Sequence, residues 1–86
     1  MESVEIKTRI KGFILENFLY GESGNAVADD DSFLEKGIID STGILELVAF
    51  IEETFSFKVA DEELVPDNFD SINKLDYFIL NKTVRA

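Results

Sequence analysis

Gly37–Phe55, GIIDSTGILELVAFIEETF, decides how this chain folds. Ile44, Leu47, Val48, Ile51 and Phe55 recur at helical spacing and predict an α-helix from about Ser41 to about Phe55. Leu45, Ala49 and Phe50 widen that stripe, so this helix is expected at the centre, packed on more than one side. Glu46, Glu52 and Glu53 fall off the stripe and are expected to face solvent. The first turn of a helix carries amides without intrahelical partners. Asp40 is suited to cap them, and its charge complements the positive end of the helix dipole. Ser41 then lies exposed and fixed in direction, at a place that tolerates a phosphate. A phosphodiester could be attached there.

Upstream of this stretch, Ile6, Ile10, Phe13, Ile14 and Phe18 predict a first helix over about residues 3–19, with Ser3 as its N-cap and a stop near Tyr20-Gly21. Gly12 is a mild weakness inside it. The segment 21–37 reads as a long loop, rich in Gly, Asn, Asp and Ser and anchored by Val27, Phe33 and Leu34. Its run Asp29-Asp30-Asp31 lacks the EF-hand pattern, because Phe33 and Leu34 stand where a ligand and the glycine belong. A capping or solvated acidic turn is favoured over a loose cation site, and no metal site is expected.

Downstream, Ser56–Val59 is a connector, and Ala60–Val65 is expected as a short helix ended by Pro66. Ile72, Leu75, Phe78 and Ile79 mark a last helix over roughly Ser71–Leu80, capped by Asp70 or Ser71, with 81–86 as a frayed tail. Three longer helices and one short one predict a single all-α domain spanning 1–86, a four-helix bundle with a long first connection and a core over about 3–80.

The net charge of −10 is unevenly placed. Residues 1–20 and 64–86 each balance, so the excess lies in 21–63, where acids from Glu22 to Glu63 face only Lys36 and Lys58. Such a field repels nucleic acid and anionic membrane and attracts basic protein surfaces. No apolar run is long enough to span a bilayer and no N-terminal signal pattern is present, so the cytoplasm is the expected address. A monomer is the expected state.

Catalysis by the chain itself is not expected. Histidine and cysteine are absent, which removes the commonest general base and any thiolate. No serine has an evident base partner, and a capping Asp40 is committed to backbone amides.

At Ile39-Asp40-Ser41, Glu46-Leu47, Ile51-Glu52-Glu53 and Phe55 the chain resembles the acyl carrier protein family, including its peptidyl and aminoacyl relatives. The resemblance runs from the first helix to about Leu80. It implies that a phosphopantetheinyl transferase moves 4′-phosphopantetheine from coenzyme A onto Ser41. The arm's thiol would then hold an acyl, aminoacyl or peptidyl group as a thioester, supplying the sulfur that the chain lacks. It also implies docking of partners, including a loading ligase and a downstream synthase or transferase, on the acidic second helix. The matching positions are Glu46, Glu52 and Glu53, with Thr42 and Ala49 on the same helix and Asp40 at its start. Thr42 and Gly43 stand where the family usually has Leu and often an acidic residue. That departure removes contact surface beside the arm and points to a specialised stand-alone carrier with a dedicated partner. The alternative, from a different class, is an unmodified acidic helical module that binds a basic protein.

Overall fold

A computed structural model describes residues 2–19 and 27–84. Its elements are α1 (Ser3–Asn17), α2 (Ser41–Phe55), a 3₁₀ turn (Asp61–Glu63), α3 (Pro66–Phe69) and α4 (Ile72–Val84), with no strand among the described residues. The expected all-α bundle of three longer helices and one short one is what forms. The expected stop at Tyr20-Gly21, the loop segment 21–26 and the tail residues Arg85 and Ala86 lie outside the described residues.

The core forms where apolar side chains recur at helical spacing. Ile6, Ile10 and Ile14 of α1 meet Leu47, Ile51 and Phe55 of α2 and Ile72, Leu75, Phe78 and Ile79 of α4. Val27, Phe33 and Ile39 are also buried, which anchors residues 27–39 of the long connection in the core. Beside it, Phe13 stacks on Phe50 at 4.2 Å between ring centres and meets Phe18 edge-on at 5.9 Å.

Several boundaries differ from those expected. The cap position of α1 is Glu2, without a side-chain cap bond. Ser3 is instead the first helical residue, and its hydroxyl donates to Asp76 Oδ2 on α4 at 3.0 Å. The short helix expected at Ala60–Val65 divides. Residues 61–63 make a 3₁₀ turn, Val65 is extended at φ −128° and ψ 152°, and Pro66 starts α3. Proline imposes that extended conformation on the residue before it, while its fixed φ suits the first position of the next helix. The tail expected to fray at Asn81 remains helical to Val84. There Lys82 bridges back to Glu63 at 2.9 Å, a tertiary partner invisible in the local sequence. The Glu63 carboxyl sits below its ordinary pKa, first because it accepts the Ala60 amide and then because of Lys82.

The run Asp29–Asp31 is occupied by the protein's own groups. Asp29 pairs with Lys7 and Lys11 at 3.7 and 3.3 Å. Asp30 accepts from the Asn73 side-chain amide, and Asp31 accepts from the Ala28 N–H. No cluster of acids positioned for a metal ion is found among the described residues.

Candidate functional site: the head of the second helix

The site begins at a turn over residues 33–37. Gly37 adopts φ +66°, a left-handed conformation that costs a side-chain-bearing residue energy. This turn sends Ile38 N–H back to the Phe33 carbonyl at 2.9 Å and delivers Ile39 into the core. Asp40 follows in extended conformation, as the cap of α2. Its Oδ1 accepts from Gly43 N–H at 2.8 Å, while its carbonyl accepts from Ile44 N–H at 3.0 Å. The expected cap is thus formed, and Ser41 becomes the exposed first residue of the helix.

Gly43 has a role different from the expected one. It is buried, and a Cβ there would lie 2.7 Å from Ile39 Cγ2 and 2.8 Å from Phe18 Cε1. The missing side chain removes little surface beside Ser41. It lets Phe18, at the end of α1, and Ile39, in the approach segment, close against the first turn of α2.

Two grooves lie at the head of α2, and Ser41 lines the first of them. The first, of about 260 Å³, has Leu34, Leu45, Leu64, Val65 and Phe69 in its walls, with Asp70 at its polar edge. The second, of about 340 Å³, is more polar and runs past Phe18, Ile38, Thr42 and Glu46. Ser41 lines the aliphatic groove, and its neighbours Asp40 and Thr42 line the more polar one.

Of the residues singled out by sequence, Asp40, Ser41, Thr42, Glu46, Ala49 and Glu53 are all exposed on α2 or at its head. Glu52 is an exception. It is half-buried and its Oε2 accepts from Val59 N–H at 2.8 Å, so it ties down the connector after α2 instead of facing solvent freely. Leu45 and Ala49 correct the expectation of a helix buried on several sides. Leu45 is 61% exposed and Ala49 is exposed, because the buried seam narrows to Gly43, Leu47, Ile51 and Phe55. Leu34, expected as a loop anchor, is 45% exposed: Phe33 takes the place in the core and leaves its neighbour at the groove.

Leu34, Leu45, Leu64, Val65 and Asp70 belong to the surroundings of Ser41 but were not legible as such. Leu64, Val65 and Asp70 are distant from Ser41 in sequence and reach it through the Val65–Pro66 bend. The one local signal was Pro66, which forces that bend. No helix among the described residues is long and apolar enough to cross a membrane.

No protein-family model matches the chain. It is 32% identical over 68 residues to the D-alanyl carrier protein of Streptococcus pyogenes, a match covering 77% of this chain and 85% of that protein. Among solved structures, the apo form of KstB-PCP superposes with a TM-score of 0.75 at 31% identity, covering 93% of this chain and 88% of the other. A glycylated carrier protein bound to the glycine:[carrier protein] ligase of Bradyrhizobium japonicum shares the fold. Its TM-score is 0.65 at 24% identity, with 88% of this chain and 96% of that one covered.

Proposed function

Since the chain belongs to the carrier-protein family that includes the D-alanyl carrier protein, we propose that it carries an aminoacyl group on a 4′-phosphopantetheine arm joined to Ser41. The single observation carrying the assignment to Ser41 is its placement. It is an exposed hydroxyl at the first position of a capped helix whose approach is fixed by Ile39 and Gly43.

The attachment is a transfer between a serine and a pyrophosphate. Ser41 Oγ attacks the phosphorus of coenzyme A that bears the pantetheine, and the phosphoanhydride bond breaks. Adenosine 3′,5′-bisphosphate leaves, and a phosphopantetheinyl transferase takes the serine proton. The residues of this chain present the hydroxyl; they do not activate it, since the Asp40 carboxylate is engaged with the Gly43 amide. Joined to Ser41, the arm would supply the thiol that the chain lacks, on which an aminoacyl group could be held as a thioester for a loading ligase and a downstream transferase. Similarity to D-alanyl carrier proteins favours an aminoacyl cargo over the acyl or peptidyl alternatives.

Partners dock on the exposed face of α2, with Glu46 and Glu53 supplying charge, Thr42 and Ala49 a close approach, and Leu45 an apolar contact. Glu52 contributes charge from the edge of that face while holding Val59. The charges act on encounter rate and orientation more than on affinity. The chain works as a monomer in the cytoplasm.

Incubation with coenzyme A, magnesium and a broad-specificity phosphopantetheinyl transferase should add one arm, located at Ser41 by mass spectrometry. Ser41→Ala should add none. Modification at another serine overturns the assignment. Failure with several transferases returns the chain to the alternative of an unmodified acidic interaction module.

A further inference from the structure

Asp70 lies far from Ser41 in sequence, at the junction of α3 and α4, yet it borders the same aliphatic groove. Its N–H closes α3 on the Pro66 carbonyl at 2.9 Å, while the bonds it accepts all come from the approach to Ser41. The backbone carbonyl accepts from Phe33 N–H at 3.0 Å, Oδ1 accepts from Leu34 N–H at 3.0 Å, and Oδ2 accepts from the Ser32 hydroxyl. That hydroxyl in turn accepts from Glu35 N–H at 3.1 Å. Asp70 thereby ties down three successive residues, 32–34, and caps the turn they begin.

The connection continues beyond the turn. The Phe33 carbonyl accepts from Ile38 N–H and Ile39 N–H at 2.9 and 3.4 Å, and the next residue is Asp40. Leu34, held by Asp70, stands in the groove wall opposite residues of α2. Among the described residues Asp70 has no ion-pair partner. Its carboxylate is committed to the turn.

We propose that Asp70, acting through Ser32 and Leu34, is a positioning residue for the Ser41 site. It sets the attitude of the turn, hence the wall of the groove and the entry to the Asp40-Ser41 cap, as partner enzymes meet them. This rests on the carrier reading. A group that holds a recognition surface in place shows itself in the concentration dependence of the partner reaction, while the reaction within the complex proceeds as before.

The test compares wild type, Asp70→Ala, Asp70→Asn and Ser32→Ala as substrates of the transferase with saturating coenzyme A. Lys82→Ala, which breaks the ion pair to Glu63 elsewhere, is the stability control. Each variant is assayed below its melting temperature. Asp70→Ala should raise the KM for the carrier by about 5- to 10-fold with kcat within about twofold of wild type. Asp70→Asn keeps an acceptor for Leu34 N–H and should recover most of the loss; Ser32→Ala should fall between. Amide exchange should quicken at Leu34, Glu35 and Ile38 before it does in α1 or α4. A wild-type KM in folded Asp70→Ala overturns the inference while leaving the carrier reading intact, and so does an equal rise in a Lys82→Ala control of matched stability. If Asp70→Ala does not fold, an unchanged KM in both Asp70→Asn and Ser32→Ala overturns it, and a raised KM in Ser32→Ala supports it. A wild-type chain that takes up no arm removes the carrier reading, and this inference with it.

Discussion

Helices α1 and α2 are each 15 residues long and each sends a narrow apolar seam into the same core, but their N-termini are built differently. The head of α1 has no side-chain cap, and Gly12, in the second half of that helix, has open space where a Cβ would go. The head of α2 has the Asp40 cap, a buried Ile39 before it, and Gly43 wedged between Ile39 and Phe18. Helix α1 needs only to bury Ile6, Ile10 and Ile14, and a small error in where it starts changes little. Several independent contacts determine the start of helix α2, as the proposed role of Ser41 requires. Its seam is also narrower than its composition suggests, leaving Leu45 and Ala49 outward beside Glu46.

The largest expected effect tests the similarity of the two seams. Ile10→Ala and Leu47→Ala each delete a fully buried side chain and should each cost about 2–5 kcal/mol in denaturant unfolding. A cost well under that range at Leu47 would mean that the seam of α2 does not share the core equally with that of α1.

Next come the glycines, where the helices should give opposite signs. Gly43→Ala forces a Cβ against Ile39 and Phe18 and should lose about 1–3 kcal/mol to overpacking, against about 1 kcal/mol gained in helix propensity. Gly12→Ala meets nothing and should stabilise by about 0.5–1 kcal/mol. Thermal melts of both variants check the pair, and a stabilising Gly43→Ala would remove the close packing proposed for that head.

Asp40→Ala should cost about 1 kcal/mol, the usual loss for an N-cap, and should slow arm attachment beyond what the lower melting temperature explains. Asp40→Asn keeps an acceptor for Gly43 N–H and should preserve most of the stability. Stability equal to wild type in Asp40→Ala would make the two helix heads equivalent after all.

The smallest effect on stability is expected at the exposed acids. Glu46→Lys with Glu53→Lys should change stability by no more than about 0.5 kcal/mol. Attachment should nevertheless slow at low salt, and the difference should shrink as salt is raised. Glu2→Lys with Glu5→Lys makes the same charge change at the head of α1. If that control slows attachment equally, net charge alone matters and the face of α2 is not special.

Periodicity and charge carried much of this protein in the sequence alone. The spacing of Ile44, Leu47, Val48, Ile51 and Phe55 places α2 over about Ser41 to about Phe55, and Asp40 marks its start, because helix period and capping are local properties of neighbouring side chains. The same logic located α1 and most of α4. Local pattern could not say which of several apolar residues wins a place in a small core. Leu34 and Leu45 look as buriable as Phe33 and Leu47, and the choice is made by what arrives from elsewhere in the chain. Nor could it show that Glu52 is claimed by the Val59 amide, that Lys82 holds the last turn of α4 through Glu63, or that Gly43 is a contact point and not a gap. Asp70 is the clearest case. In sequence it is one more acid near a helix start; in the fold its three acceptor groups hold residues 32–34 and so shape the approach to Ser41. Hydrogen bonds and packing across tens of residues depend on positions in space, and the tertiary structure alone supplies those.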